Sequence, residues 1–107
     1  MVFVYLLRVD INDVIYHKIG FTKREISKRI KQLKTGSVSE IVCIDFFKSK
    51  FGTTIEKNLH RMYRNKMVSG EWFLLDDIDI AGFHDKCQEI HDNLDFLDKH
   101  NTFINKF

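Results

Sequence analysis

Tyr16, Lys18 and Gly20 alternate along the segment "YHKIG", so a strand there points all three to one face. Pairing with the preceding run "VFVYLLRV" (2–9) brings Tyr5 beside them. In "TKREISKRIKQLKTG", Ile26, Ile30 and Leu33 form the apolar stripe of a helix. Arg29 lies one position off that stripe, at the edge of a core, where a guanidinium is held firmly and still reaches a ligand. In "TTIEKNLHRMY", Glu56, His60 and Tyr63 are spaced i, i+4, i+7 and project from one side, beside the stripe of Ile55, Leu59 and Met62. Four elements thus supply a phenol, an ammonium, a guanidinium and a carboxylate with a neighbouring imidazole.

That set suits the cutting of a phosphodiester. A carboxylate can hold Mg²⁺, which stabilises the leaving oxygen, and an arginine can grip the non-bridging oxygens in a bidentate way. A tyrosine of ordinary pKa, about 10, is ionised to roughly 0.1% at neutral pH, so it needs a cation nearby to act as a base. Lys18 is a candidate for that cation. Other uses stay open on residue type alone, since a strand tyrosine also packs and a helical glutamate also faces water. Tyr63 reads equally as core and as site, and Tyr16 ranks after Tyr5. Trp72 and Phe73 read as core.

The elements that must position these groups follow from the apolar pattern. "VFVYLLRV" (2–9) and "DVIYHKIG" (13–20) form a hairpin, and a helix begins after Gly20 with Thr22 as its expected cap and Gly36 as its stop. "EIVCIDFFK" (40–48) is a third strand, and a second helix follows with Thr53 or Thr54 as cap. "GEWFLL" (70–75) is short and extended. Phe83, Cys87, Ile90, Leu94 and Leu97 then mark a third, acidic amphipathic helix over about 76–100. The order ββαβα, an extended segment, then α predicts an α+β fold: a small antiparallel three-stranded sheet flanked by helices. No linker or repeat divides the chain, so one domain is expected over 1–107, with its core in 1–75.

The net charge of +2 hides an asymmetry. Residues 1–67 carry fourteen Lys/Arg against six Asp/Glu, and residues 68–107 carry three against nine. A basic part of this kind fits a phosphate-bearing partner, and DNA is the expected one, docking on Thr22, Lys23, Arg24, Lys28, Lys31 and Lys34. The acidic helix must face elsewhere, and a homodimer or a protein-binding role is the use open to it. The opening "MVFVYLLRVD" reaches Arg8 and Asp10 too early for a signal peptide or a membrane span. Only Cys43 and Cys87 occur, in no redox spacing, so a reduced, cytoplasmic setting is expected, inside the host cell if the chain is viral. His84, Cys87 and His91 share a helical side, but Cys87 belongs to the apolar stripe and no fourth zinc ligand is evident.

In this order the residues resemble the GIY-YIG nuclease superfamily, and within it the phage- and virus-associated branch described as DNA-binding. The first tripeptide is matched loosely by "FVY" (3–5) and the second by "KIG" (18–20), with the small polar residue following in "GFT". The helical arginine is Arg29, the metal-binding glutamate is Glu56, and the accompanying histidine and Gly-Glu-Trp-Phe segment are His60 and "GEWF" (70–73). The resemblance covers about residues 3–75. It departs from the superfamily in Phe3, which replaces the leading glycine, and in Lys18, which occupies the place of the second active-site tyrosine. It implies a small endonuclease, a hydrolase using Mg²⁺ or Mn²⁺. Tyr5 would be the base assisted by Lys18, Arg29 the phosphate clamp, Glu56 the metal ligand and His60 an aid to positioning or proton transfer. Two alternatives stand beside it: a DNA-binding module of the same fold with little turnover, and a protein–protein effector or inhibitor acting through the acidic helix.

Overall fold

The computed structural model describes residues 1–35 and 39–100. Strands β1 (Val2–Ile11) and β2 (Val14–Thr22) form a hairpin whose two linking residues, Asn12 and Asp13, have φ of 53° and 66°. Two consecutive left-handed residues give the turn the twist that antiparallel strands require, and Asn and Asp tolerate that conformation best among residues with side chains. Helix α1 (Ile26–Lys34), strand β3 (Ile41–Ser49) and helix α2 (Gly52–Met62) follow. A single 3-10 turn (Arg64–Lys66) leads to β4 (Met67–Ser69), β5 (Trp72–Phe73), α3 (Asp77–Ala81) and α4 (Phe83–Lys99).

The class is α+β as expected, but the sheet has five strands rather than three, all antiparallel, in the order β3-β1-β2-β5-β4. The two further strands come from the segment read as merely extended. Gly70, at φ 55°, reverses the chain so that β4 and β5 pair with each other, and β5 pairs with β2 through His17↔Phe73 and Lys18↔Trp72. The boundary expectations also shift. Thr22 stays in β2, where its Oγ1 accepts from Arg24 N at 3.1 Å, and α1 begins later, behind Glu25. Thr53 and Thr54 lie inside α2, and Ser49 Oγ accepts the Phe51 N–H just before that helix at 2.9 Å. The predicted acidic helix is split at Gly82, because Asp76 and Asp79 form a capping box that starts the short α3. Gly36 and the residues beyond 100 lie outside the described residues.

Strand alternation assigns β1 to two cores. Tyr5, Leu7 and Val9 face α1 and pack with Ile26, Ile30, Leu33 and Trp72. Val4 and Leu6 face α2 and α4, with Ile19, Ile55, Leu59, Phe73, Phe83 and Cys87. The apolar stripe of α4 is used on this second core through Leu94, whereas Phe96 and Leu97 are exposed. No helix among the described residues is long and apolar enough to cross a membrane.

Candidate active site

Helices α1 and α2 cover opposite faces of the sheet, so their polar residues can meet only where the sheet is interrupted. The edge of β2 supplies that place. Strand β5 pairs with β2 only as far as His17 and Lys18, and the next edge groups are satisfied differently. Ile19 N donates to Glu71 O at 3.1 Å, and Ile19 O is 2.7 Å from His60 Nε2. Buried backbone groups need partners, so these two bonds lock the β4–β5 link and α2 onto the same residue of β2.

Gly20 lets the phenol reach this edge. It pairs directly with Tyr5, and a Cβ built on Gly20 would lie 2.5 Å from the Tyr5 hydroxyl oxygen and 2.7 Å from Cζ. The ring therefore lies across β2 in the space that any other residue would fill. Only 1% of Tyr5 is exposed, and burial raises its pKa above the ordinary phenol value. Arg29 opposes this, both as a hydrogen-bond partner and as a positive charge, and the Glu71 and Glu56 carboxylates add to it. The groups with electrostatic influence on the phenol are thus one cation from α1, one anion from α2 and one anion from the β4–β5 link.

Glu56, His60 and Glu71 present ligand atoms that all lie within 4.8 Å of one another. Glu56 is 7% exposed, and burial raises its pKa; His60 and Lys57 lower it, and Glu71 raises it. His60 Nε2 is 3.6 Å from Glu56 Oε1, but its shorter contact is with the Ile19 carbonyl, so in the neutral ring Nε2 carries the proton. Two carboxylates with an imidazole at hand form a donor set that fits Mg²⁺ or Mn²⁺, which favour oxygen ligands.

Lys18 sits on the Tyr5 face with its side chain 15% exposed. Its Nζ lies 3.5 Å from Glu71 Oε2 and 5.7 Å from the centre of the Trp72 ring. Its anionic partner is therefore Glu71. Arg29 Nη1 donates to Gln32 Oε1 at 3.0 Å, while its buried Nε has no hydrogen-bond partner. Arg24 Nη1 reaches the same Gln32 oxygen at 3.3 Å. Lys23, Arg24, Lys28, Lys31 and Lys34 are exposed, with Lys28 near Glu25 at 3.8 Å.

Two sequence candidates stand apart from this edge. Tyr63 is buried in the core under α2 and α4, packed against Phe73, with its charged neighbours Asp79 and Lys66. Tyr16 lies on the Tyr5 face but lines a separate hollow with Ile11, Val68, Ser69 and Trp72. The residue that sequence reasoning missed is Glu71. Its only signal was its place inside "GEWF", since a two-residue link carries no periodicity. His84 and His91 do not gather a metal set: His84 Nδ1 pairs with Asp45 at 3.3 Å, and His91 Nδ1 with Ser49 Oγ at 2.7 Å.

No curated protein and no solved structure matches the chain. A family model, the T5orf172 domain, matches residues 2–92, a span that includes every residue of this edge. The chain belongs to the T5orf172 domain family, a GIY-YIG-like domain of nuclease type.

Proposed function

We propose that the protein is a small metal-dependent endonuclease that hydrolyses DNA phosphodiester bonds. The observation that carries this reading is that Glu56, His60 and Glu71 bring their ligand atoms within 4.8 Å of one another, beside the strand over which the Tyr5 ring lies at Gly20.

In this reading Glu56 and Glu71 hold the metal, Mg²⁺ or Mn²⁺. Bound there, it supplies Lewis-acid stabilisation of the leaving oxygen and offsets the carboxylate charge that raises the Tyr5 pKa. Arg29, half-buried on α1, grips the non-bridging oxygens. Tyr5, as phenolate, takes a proton from water; the water oxygen bonds to phosphorus, the bond to the leaving oxygen breaks, and that oxygen takes up a proton from solvent, while the Tyr5 phenol returns its own to solvent. Lys18 offsets the negative charge of Glu71 and so keeps the phenolate accessible. His60 ties α2 to Ile19, which fixes Glu56 relative to the strand bearing Gly20.

One observation favours a second reading, a DNA-binding module with little turnover: the pKa of Tyr5 is raised, which disfavours the base it must become. Supercoiled plasmid incubated with Mg²⁺, beside a gel shift in EDTA, separates the two. Nicked and linear product supports the endonuclease. Tight binding in EDTA with no product in Mg²⁺ supports the module.

A further inference from the structure

Cations of the structure divide into those tied to carboxylates and those left open. Lys66 is held by Asp76 and Asp79, and Lys50 by Asp95 and Asp98. Lys57, Arg61 and Arg64 make no ion pair within 4.0 Å among the described residues, although Lys57 acts on Glu56 at longer range, and all three are exposed. Lys57 and Arg61, one turn apart on α2, lie next to Glu56 and His60 on that helix, and Arg64 follows in the 3-10 turn just past its end. Together with Glu56, His60 and Met67 they line a cavity of about 290 Å³, in which Glu56 is the one acid.

We propose that Lys57, Arg61 and Arg64 form a second phosphate-binding row, which receives the DNA backbone on the α2 side of the site. The proposal rests on the DNA reading of that site. Glu56, His60 and Glu71 gather their ligand atoms within 4.8 Å of one another beside the strand over which Tyr5 lies, so the reacting position borders α2. Lys23 and Arg24 ahead of α1 and Lys28, Lys31 and Lys34 on it are exposed, and so are Lys57 and Arg61 on α2 and Arg64 just past its end. A strand crossing the β2 edge would then meet positive charge on both sides of the bond to be cut. At about 1.5 Å per residue Lys57 and Arg61 are about 6 Å apart along α2, and Arg64 extends the row past the helix end. One strand carries a charge every 3.4 Å or so, so the helical part of the row faces about two phosphates. Arginine on this row suits phosphate because its fork of donors matches paired oxygens.

The test is fluorescence anisotropy of a labelled DNA duplex in EDTA, titrated with the parent protein and with Arg61→Glu/Arg64→Glu at several salt concentrations. Loss of two phosphate contacts should lower the slope of log K against log salt by about 1.8 and weaken binding at low salt by at least ~10-fold. Arg61→Gln/Arg64→Gln, which removes charge without reversing it, should show the same change in slope. Both variants should melt with the parent, since these side chains are exposed. Equal slopes for parent and both variants overturn the row. Because EDTA prevents cutting, the result is independent of the nuclease reading. A parent that never cuts in Mg²⁺, with the slope still lowered in the variants, leaves the row standing and removes the endonuclease.

Discussion

Lys18 Nζ lies 3.5 Å from Glu71 Oε2, and this pair links strand β2 to the short turn between β4 and β5. Its consequence reaches Tyr5, because Glu71 is one of the two carboxylates that raise the phenol pKa. Removing the ammonium leaves that negative charge uncompensated. Lys18→Met should therefore lower the cleavage rate and move upward the pH at which the rate levels off. Glu71→Gln should weaken Mn²⁺ binding by at least ~10-fold, read by calorimetry or spin resonance on DNA-free protein. A pH profile unchanged by Lys18→Met removes Lys18 from the tuning of Tyr5, and unchanged Mn²⁺ affinity removes Glu71 from the ligands.

Burial of Glu56 has a signature in stability that does not depend on activity. Its folded pKa lies above the ordinary value of 4.5, chiefly through desolvation. Below about pH 4.5 both folded and unfolded chains carry the proton and the cost is absent. As pH rises through the folded value the carboxylate must ionise while buried, and the fold loses stability that it does not regain at higher pH. Glu56→Gln should thus melt at or above the parent temperature at pH 7, with the difference closing toward pH 4. A mutant that melts lower at pH 7 and not at pH 4 contradicts the burial account.

The close approach of Tyr5 to Gly20 makes Gly20→Ala a severe change for so small an addition. The new methyl would meet the phenol at 2.5–2.9 Å, and Tyr5 is packed among buried neighbours that prevent its retreat. Overpacking of this kind costs about 1–3 kcal/mol. Chemical denaturation should show that loss, and cleavage should fall further than the stability loss explains, because the phenol leaves the edge. Full activity in Gly20→Ala would show that the position of Tyr5 over this strand is not needed.

On the α1 side, Lys28→Glu/Lys31→Glu should weaken DNA binding across unrelated sequences and lower the salt slope. Both residues are exposed on the helix, so the melting temperature should stay close to the parent value. Binding that keeps its strength at low salt moves the interface off α1.

Much of the edge could be read from local rules. Alternation in "YHKIG" puts Lys18 and Gly20 on one face, hairpin pairing puts Tyr5 opposite Gly20, and helical spacing puts Glu56 beside His60. Each is a short-range regularity, and the register Tyr5↔Gly20 follows from a two-residue turn. The missing parts depend on contacts that no period encodes. Glu71 reaches the site because Gly70 reverses the chain and β5 docks on β2, a pairing of two residues only. The five-stranded sheet was hidden for the same reason. Thr22 looked like a helix cap because its residue type suits one, whereas sheet pairing with Phe3 holds it in β2. Tyr63 shares the i+7 position with the site row, but the end of α2 turns it into the core instead.

Glu56 is the carboxylate on which the metal-dependent reading turns, and a metal titration of plasmid cleavage by the parent and Glu56→Gln tests it most directly. The two proteins are compared on the same supercoiled plasmid, from EDTA through rising Mg²⁺ and Mn²⁺, with DNA affinity measured in EDTA. The expected result is metal-dependent cutting by the parent and a fall of at least ~10²-fold in the mutant, in line with the loss of an electrostatic stabiliser of the transition state. DNA affinity should hold or rise, since one negative charge near the phosphate is gone. Metal-dependent cutting by Glu56→Gln at the parent rate would contradict the account, and so would a parent that binds DNA tightly and never cuts it.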